Sequence, residues 1–568
     1  MAPRLCYRER VRLPFASRLL AAAVSLPLTA LACGLALDEE PGPPTTDAAA
    51  DTSPGDERAP DDARTPDATP RDDASPDAIA TDGEAGPVVP TWDFDWTTIV
   101  GTGQSLSIGS QGAPPLSTAP SFDNMKLDDD GPEPKFQAAA GLKLVPLAEP
   151  IRPTTWGAPL YTAGVYPANI RGETPHTAMA SQVTALARAA GMVGLPQIHS
   201  VVGSGGKPMS FIAKGGTGNS FERTTFEITA QKALAQTAGK RLGVGAVILT
   251  HGEADAILGT YEAGLVTLQR DYDTDLRALT GQTSTIPMYV SQQHSIPRRG
   301  DAMLRSTSTL AAWTASRTAP GKIVCLGPKY QYPYVNDKVH MDAFGYRRLG
   351  IKHGEAFFQN QVEKRPFRPL EPTAVARVGR VVTVTFHVPY PPLAWDAVLP
   401  TPHPEAGHPW ALGKGFEVED SNGKAVIESV AIAGDKVTIT LDTEPTGQDL
   451  VVRYAMTMDD TGPAGARAGE GDGRMGLLRD SDPLVGIDDE PVVIEAVTGA
   501  TSVTGDFSKH GRYELVVGGG LPAETAIVAR TATSAELSAP WPGATGTATV
   551  RVRSNQHNYA VAFELPVP

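Results

Sequence analysis

Between residues 92 and 361, short apolar runs alternate with longer amphipathic ones, and this alternation restricts the chain to few folds. The strand-like runs are TTIV, IHSVV, VGAVILT, IPMYVSQQ and KIVCLG. The helix-like runs are TAMASQVTALARAAGM, FEITAQKALAQTAGKRL, GLVTLQRDYDTDLRALTG and AFGYRRLGIKHGEAFFQN. Helices long enough to cross over between strands imply a parallel sheet covered on both faces, a three-layer α/β/α domain spanning 92–365. In such sheets ligands bind at the carboxyl ends of the strands.

The flanking regions differ in kind. After Pro366 the pattern shortens to VVTVTFHV, KAVIESVAI, DKVTITLD and DLVVRYAM, separated by Gly, Pro, Asp and Asn turns; YELVV, AIVART, TATVRVR and YAVAFELPV follow. Region 366–568 therefore reads as antiparallel β, a sandwich. Upstream, residues 35–90 hold 15 acidic and 3 basic side chains among Ala, Pro and Thr, a composition too poor in apolar groups to offset the entropy of ordering. This stretch carries most of the formal charge of −15, so the charge describes a tether, and no basic nucleic-acid surface is indicated. Residues 1–32 resemble an export signal: Arg4, Arg8, Arg10, Arg12 and Arg18 precede LLAAAVSLPLTALA. The run ends on Ala30-Leu31-Ala32-Cys33, which is similar to a bacterial lipobox and makes Cys33 the expected lipid anchor at the head of a 33–91 linker. Cleavage near Ala32 without lipidation is the alternative, giving a secreted protein. Cys325, in the apolar run KIVCLG, reads as a buried thiol.

Chemistry enters through GTGQSLSIG, directly after the TTIV strand. A Gly-rich turn at a strand end can lift the Ser105 hydroxyl above the sheet and aim its own N–H at a developing oxyanion. Far downstream, NDKVHMDAFGYRRLG places Asp337 and His340 three apart before a helix, where a carboxylate can orient an imidazole toward a serine. Read singly, each is more often a structural loop or a helix cap. Two further segments, VVGSGGKPMSFIAKGG and VILTHGEAD, also run from an apolar strand into glycine.

Taken in order, GQS, GG, HGEAD and D-x-x-H resemble the blocks of the SGNH-hydrolase superfamily, and within it the carbohydrate acetylesterases and sialate O-acetylesterase-like enzymes. The resemblance implies Ser105 as nucleophile, His340 as general base and then acid, and Asp337 as its orienting partner. It implies an oxyanion hole of the Ser105 and Gly205 backbone N–H groups with a third donor from His251, supported by Gln104, Gly206, Gly252 and Glu253. His251 stands where these relatives carry glutamine, and Lys207 where they carry threonine. A neutral histidine still offers one donor, now dependent on tautomer. No cofactor is implied. Glu253 and Asp255 beside His251 lie on a turn, not a metal-binding strand face, so no metal site is expected there. His403, Glu405 and His408 form a weak cluster in a Pro-rich loop, and KGGTGNS, 214–220, lacks the lysine and hydroxyl of a phosphate loop.

GLLRDSDP and NYAVAFELPV resemble segments that lie together in the β module following some SGNH domains. On that reading the final strand completes the first β module and about 492–555 is an insertion. The module either binds polysaccharide or braces the catalytic domain. The expected activity is removal of O-acyl groups, acetyl foremost, from a carbohydrate or polysaccharide by an exported protein held to the cell envelope membrane through Cys33. A short-chain esterase or lipase, and an inactive surface protein that only binds carbohydrate, remain as alternatives.

Overall fold

The computed structural model describes residues 90–120, 122–129, 141–151, 172–294, 306–332, 334–335, 337, 339–396, 410–456, 476–482 and 557–568, with seven strands between 490 and 553. The signal segment, Cys33, the acidic linker and the His403, Glu405, His408 cluster lie outside the described residues.

The first half is an α/β domain. Its strands are β1 (Trp96–Gly103), β2 (Met125–Asp129), β3 (Leu142–Pro146), β4 (Gln197–Gly203), β5 (Leu242–Thr250), β6 (Met288–Gln292) and β7 (Ile323–Pro328). They form one sheet in the order β3-β2-β4-β1-β5-β6-β7. Every pairing is parallel except β2 with β3, so an antiparallel edge is added to the expected parallel sheet. Helices α1 (Pro175–Ala189), α2 (Met209–Ile212), α3 (Ser220–Thr237), α4 (Tyr261–Thr280), α5 (Thr307–Thr318) and α6 (Ala343–Phe357) connect the strands or follow the last of them.

The strand alternation decides the layers. Ile99, Ala246 and Ile248 face α1 and α6, meeting Met179, Val183, Ala356 and Phe357. Val100, Val247 and Leu249 face the other way, toward Ile228, Leu265, Leu268 and Trp313 of α3, α4 and α5. Both faces of the central strands are thereby sealed, as a continuous apolar β1 and β5 require. Among the described residues no helix is long and apolar enough to cross a membrane.

The second half is antiparallel β. Strands Glu371–Val378, Val381–His387, Lys436–Leu441 and Ile427–Ala433 make one sheet; Gly423–Lys424, Phe416–Asp420, Val451–Tyr454 and Phe563–Pro566 make another. Val382, Val384, Phe386, Val437, Ile439 and Leu441 pack with Phe416, Val418, Val452, Tyr454 and Phe563 in one core, so the two sheets form a sandwich. Phe386 and Phe563 meet across it at 6.0 Å.

The segment 476–482 lies against 558–567: Ala560 N–H donates to Leu478 O, Asp480 N–H donates to Asn558 O, and Phe563–Pro566 pairs with Val451–Tyr454. Between these segments, strands from Glu490 to Arg553 form two separate antiparallel sheets. The core is continuous between the two halves. Trp313 Nε1 donates to Glu371 Oε2 at 2.7 Å, and Gln292 exchanges two 2.8 Å hydrogen bonds with the backbone of Ala562.

Candidate active site

Strand register brings the sequence blocks to one sheet edge. Gly103 at the end of β1 lies beside Gly203 of β4 and Thr250 of β5, so residues 104–105, 204–205 and 251 leave the sheet side by side. Gly103 has φ +138°, and a Cβ there would lie 2.1 Å from Thr250 O, so only glycine lets β1 turn this close to β5. Gln104 N–H still donates to Thr250 O, and Ser105 then opens a one-turn 3-10 helix, Ser105–Ile108. As the first residue of that turn, Ser105 has no intrahelical acceptor for its N–H.

Ser105, His340 and Asp337 come together. His340 Nε2 is 2.7 Å from Ser105 Oγ, and His340 Nδ1 is 2.7 Å from Asp337 Oδ2. Asp337 Oδ1 accepts from the N–H groups of Val339 and His340, each at 2.9 Å. Burial alone would raise the Asp337 pKa, but these backbone donors and the His340 side chain outweigh it and hold the carboxyl below its usual value. An ionised Asp337 can only accept, so the His340 proton sits on Nδ1 and leaves Nε2 to accept from the Ser105 hydroxyl. Val335 N–H donates to His340 O, and Tyr334 bridges to Met341, closing the loop around the pair.

Gly205 lies beside the serine: a Cβ on it would stand 3.7 Å from Ser105 Cβ, and Ser204 N–H donates to Gly103 O. Gly206 takes φ +67° to turn the loop back.

His251 departs from expectation. Its side chain is buried with both ring nitrogens engaged, Nε2 at 3.0 Å from Lys207 O and Nδ1 at 3.0 Å from Tyr261 Oη. A carbonyl only accepts, so Nε2 carries the proton and gives it to Lys207, while Nδ1 accepts from Tyr261. Burial lowers the His251 pKa, and the Nε2 N–H is already spent on Lys207 O. The side-chain oxyanion donor expected here is therefore corrected: His251 fastens the loop that carries Gly205.

The rest of its turn is equally occupied. Gly252 has φ +123°. Glu253 forms a buried ion pair with Lys329, Ala254 N–H donates to Gln104 Oε1 at 3.1 Å, and Asp255 Oδ2 accepts from Met209 N–H at 2.6 Å. Among the described residues no group of three or more His, Cys, Asp or Glu is placed to hold a metal ion. The Lys214–Ser220 loop ties to neighbouring helices, Lys214 to Asp275 and Gly215 N–H to Glu222. Cys325 is buried on β7, its thiol pushed up to about 12 by burial. Lys329 and Tyr261 were not singled out by the sequence. Their partners lie 76 and 10 positions away, and no local pattern marks either pairing.

No family model and no curated protein matches the chain. Solved structures similar to it include a carbohydrate acetylesterase from Xanthomonas citri, with TM-score 0.40 and 12% identity over 67% of this chain and 77% of that one. They also include a protein from Arabidopsis thaliana, with TM-score 0.34 and 16% identity over 47% and 98% of the two chains. A third is NanS, with TM-score 0.31 and 12% identity over 48% and 98%.

Proposed function

We propose that this chain is a serine carboxylic-ester hydrolase. The observation that carries the reading is the hydrogen-bonded series Ser105 Oγ, His340 Nε2, His340 Nδ1, Asp337 Oδ2, both links 2.7 Å long, at the carboxyl edge of the parallel sheet. In the proposed reaction His340 takes the Ser105 proton as the oxygen attacks the ester carbonyl, and the Ser105 and Gly205 N–H groups receive the oxyanion. His340 then protonates the departing alcohol. Water, deprotonated by the same imidazole, attacks the acyl-serine and releases the acid. Asp337 stabilises the imidazolium at both stages.

The substrate class is a finer reading. The similarity of the four blocks to those of carbohydrate acetylesterases supports an O-acetylated sugar as the substrate. The complete hydrogen-bonded series favours turnover over an inactive carbohydrate-binding role. Export with anchorage through Cys33 is the corresponding proposal for location, supported by the arginines and apolar run that precede it.

The test is hydrolysis of p-nitrophenyl acetate by the chain with its Ser105→Ala control, followed by acetate release from acetylated xylan, pectin, sialic acid and peptidoglycan. Equal turnover by wild type and Ser105→Ala would remove the esterase reading. Turnover of the small ester with none of the acetylated sugars would leave a general short-chain esterase.

A further inference from the structure

The turn 251–255 and the loop 329–342 meet in a buried ion pair that the proposed chemistry does not use. Lys329 is fully buried, Glu253 nearly so, and Lys329 Nζ rests on Glu253 Oε1. Such a pair contributes little net stability, because desolvating two charges offsets most of their attraction. Its value lies in fixing one segment against another.

Both partners lead directly to the reacting groups. On the Glu253 side, Ala254 N–H holds Gln104, the residue before Ser105, and His251 holds the carbonyl of Lys207, two residues beyond Gly205. On the other side, Lys329 is the first residue after β7 and begins the loop that delivers Asp337 and His340. Tyr330 Oη donates to Ala560 O at 2.7 Å, anchoring the next position on the β half. Tyr332 and Tyr334 then pack with Leu106 and Met341, and the Tyr334 to Met341 bridge closes the loop at His340. The ion pair is thus a junction between the serine side and the histidine side.

We infer that Lys329 is a positioning residue for ester hydrolysis: its ion pair with Glu253 sets the loop carrying Asp337 and His340 in register with the turn carrying Ser105. This rests on the esterase reading. Neither Lys329 nor Glu253 touches the ester in this scheme; together they set the approach of His340 Nε2 to Ser105 Oγ.

The experiment uses the full chain and p-nitrophenyl acetate. Lys329→Met alone strands a buried carboxylate and Glu253→Gln alone a buried ammonium, so each single variant is expected to lose both melting temperature and turnover. The double variant Lys329→Met/Glu253→Gln removes both charges together. It is expected to melt within about 3 °C of wild type. Its kcat should nonetheless fall about a hundredfold, with KM changed less than about threefold, as misplaced reacting groups would do. A double variant with wild-type kcat overturns the inference. So does one whose melting temperature falls in step with kcat, since a merely structural pair behaves that way. Ser105→Ala measured alongside separates the two claims. If it retains turnover, the esterase reading fails; if it is inert while the double variant is fully active, only the positioning role fails.

Discussion

Two turns leave neighbouring strands at the same sheet edge and treat their polar side chains in opposite ways. Among the described residues, the turn after β1 leaves the Ser105 hydroxyl hydrogen-bonded to His340 Nε2 alone. The turn after β5 spends His251, Glu253 and Asp255 on Lys207, Lys329 and Met209. Both belong to blocks that resemble catalytic motifs, yet one sets its hydroxyl against an imidazole while the other spends its polar side chains on neighbouring loops.

The largest expected effects fall on the first turn and its base. Ser105→Ala and His340→Ala should each lower ester turnover by several orders of magnitude with the fold intact, as judged by circular dichroism and melting. Asp337→Asn should lose about 10⁴-fold in kcat, because an amide favours the wrong imidazole tautomer. A loss under about tenfold would mean that another acid orients His340.

The second turn should respond more mildly. His251→Ala removes the hydrogen bonds to Lys207 O and Tyr261 Oη and should lower kcat about tenfold, a change of about 1.4 kcal/mol in the barrier. His251→Gln, whose amide can donate to the same carbonyl, should recover part of that. A drop of 10² to 10³ for His251→Ala would instead match loss of an oxyanion donor and would erase the contrast between the turns.

A still smaller effect extends the comparison from His251 to other buried polar groups. Burial pushes His199 and His294 down to about 3 and His353 to about 4, while it pushes Glu149 and Glu355 up to about 8. The imidazoles sit below their unfolded value near 6.5, so their contribution to stability is present above it and is lost as pH falls toward 3. The two carboxyls sit above their unfolded value near 4.3, so their contribution is present below it and is lost as pH rises through 8. Between about 4.5 and 6.5 the two oppose each other. Melting temperature measured from pH 3.5 to 8.5 should show a plateau in that window and a decline on either side. A monotonic profile would contradict these burial assignments. Smallest for catalysis is Cys33→Ser: it should move the protein from detergent to aqueous phase with kcat on small esters unchanged. A wild type already in the aqueous phase would remove the anchor.

Much of this architecture was legible because it rests on periodicity. Runs such as VGAVILT and VVTVTFHV are long enough to show whether one or both faces are buried. α5, TSTLAAWTASRT, shows no clear helical pattern because its apolar residues are mostly alanines among hydroxyls, and burial of its Trp313 in the core supplies what local pattern does not. β2 and β3 carry no such pattern: both are short, β3 is the edge strand and β2 its neighbour, and charges interrupt MKLDD and LKLVP. Ser105 stood out through its strand-end turn, Asp337 and His340 through their spacing before a helix, and all three through the order of the blocks. The His251 partners did not, since the residue type is the same whether the ring meets a substrate or the carbonyl of Lys207.

The pairing of Gln292 with Ala562 spans 270 residues. During synthesis the amide of Gln292 and the hydroxyl of Tyr330 stay without these partners until residues 557–566 have left the ribosome. A premature stop in the β half would thus release a chain whose inner surface at β6 and β7 is bare. Such an intermediate would be a natural client for chaperones and a natural substrate for proteolysis.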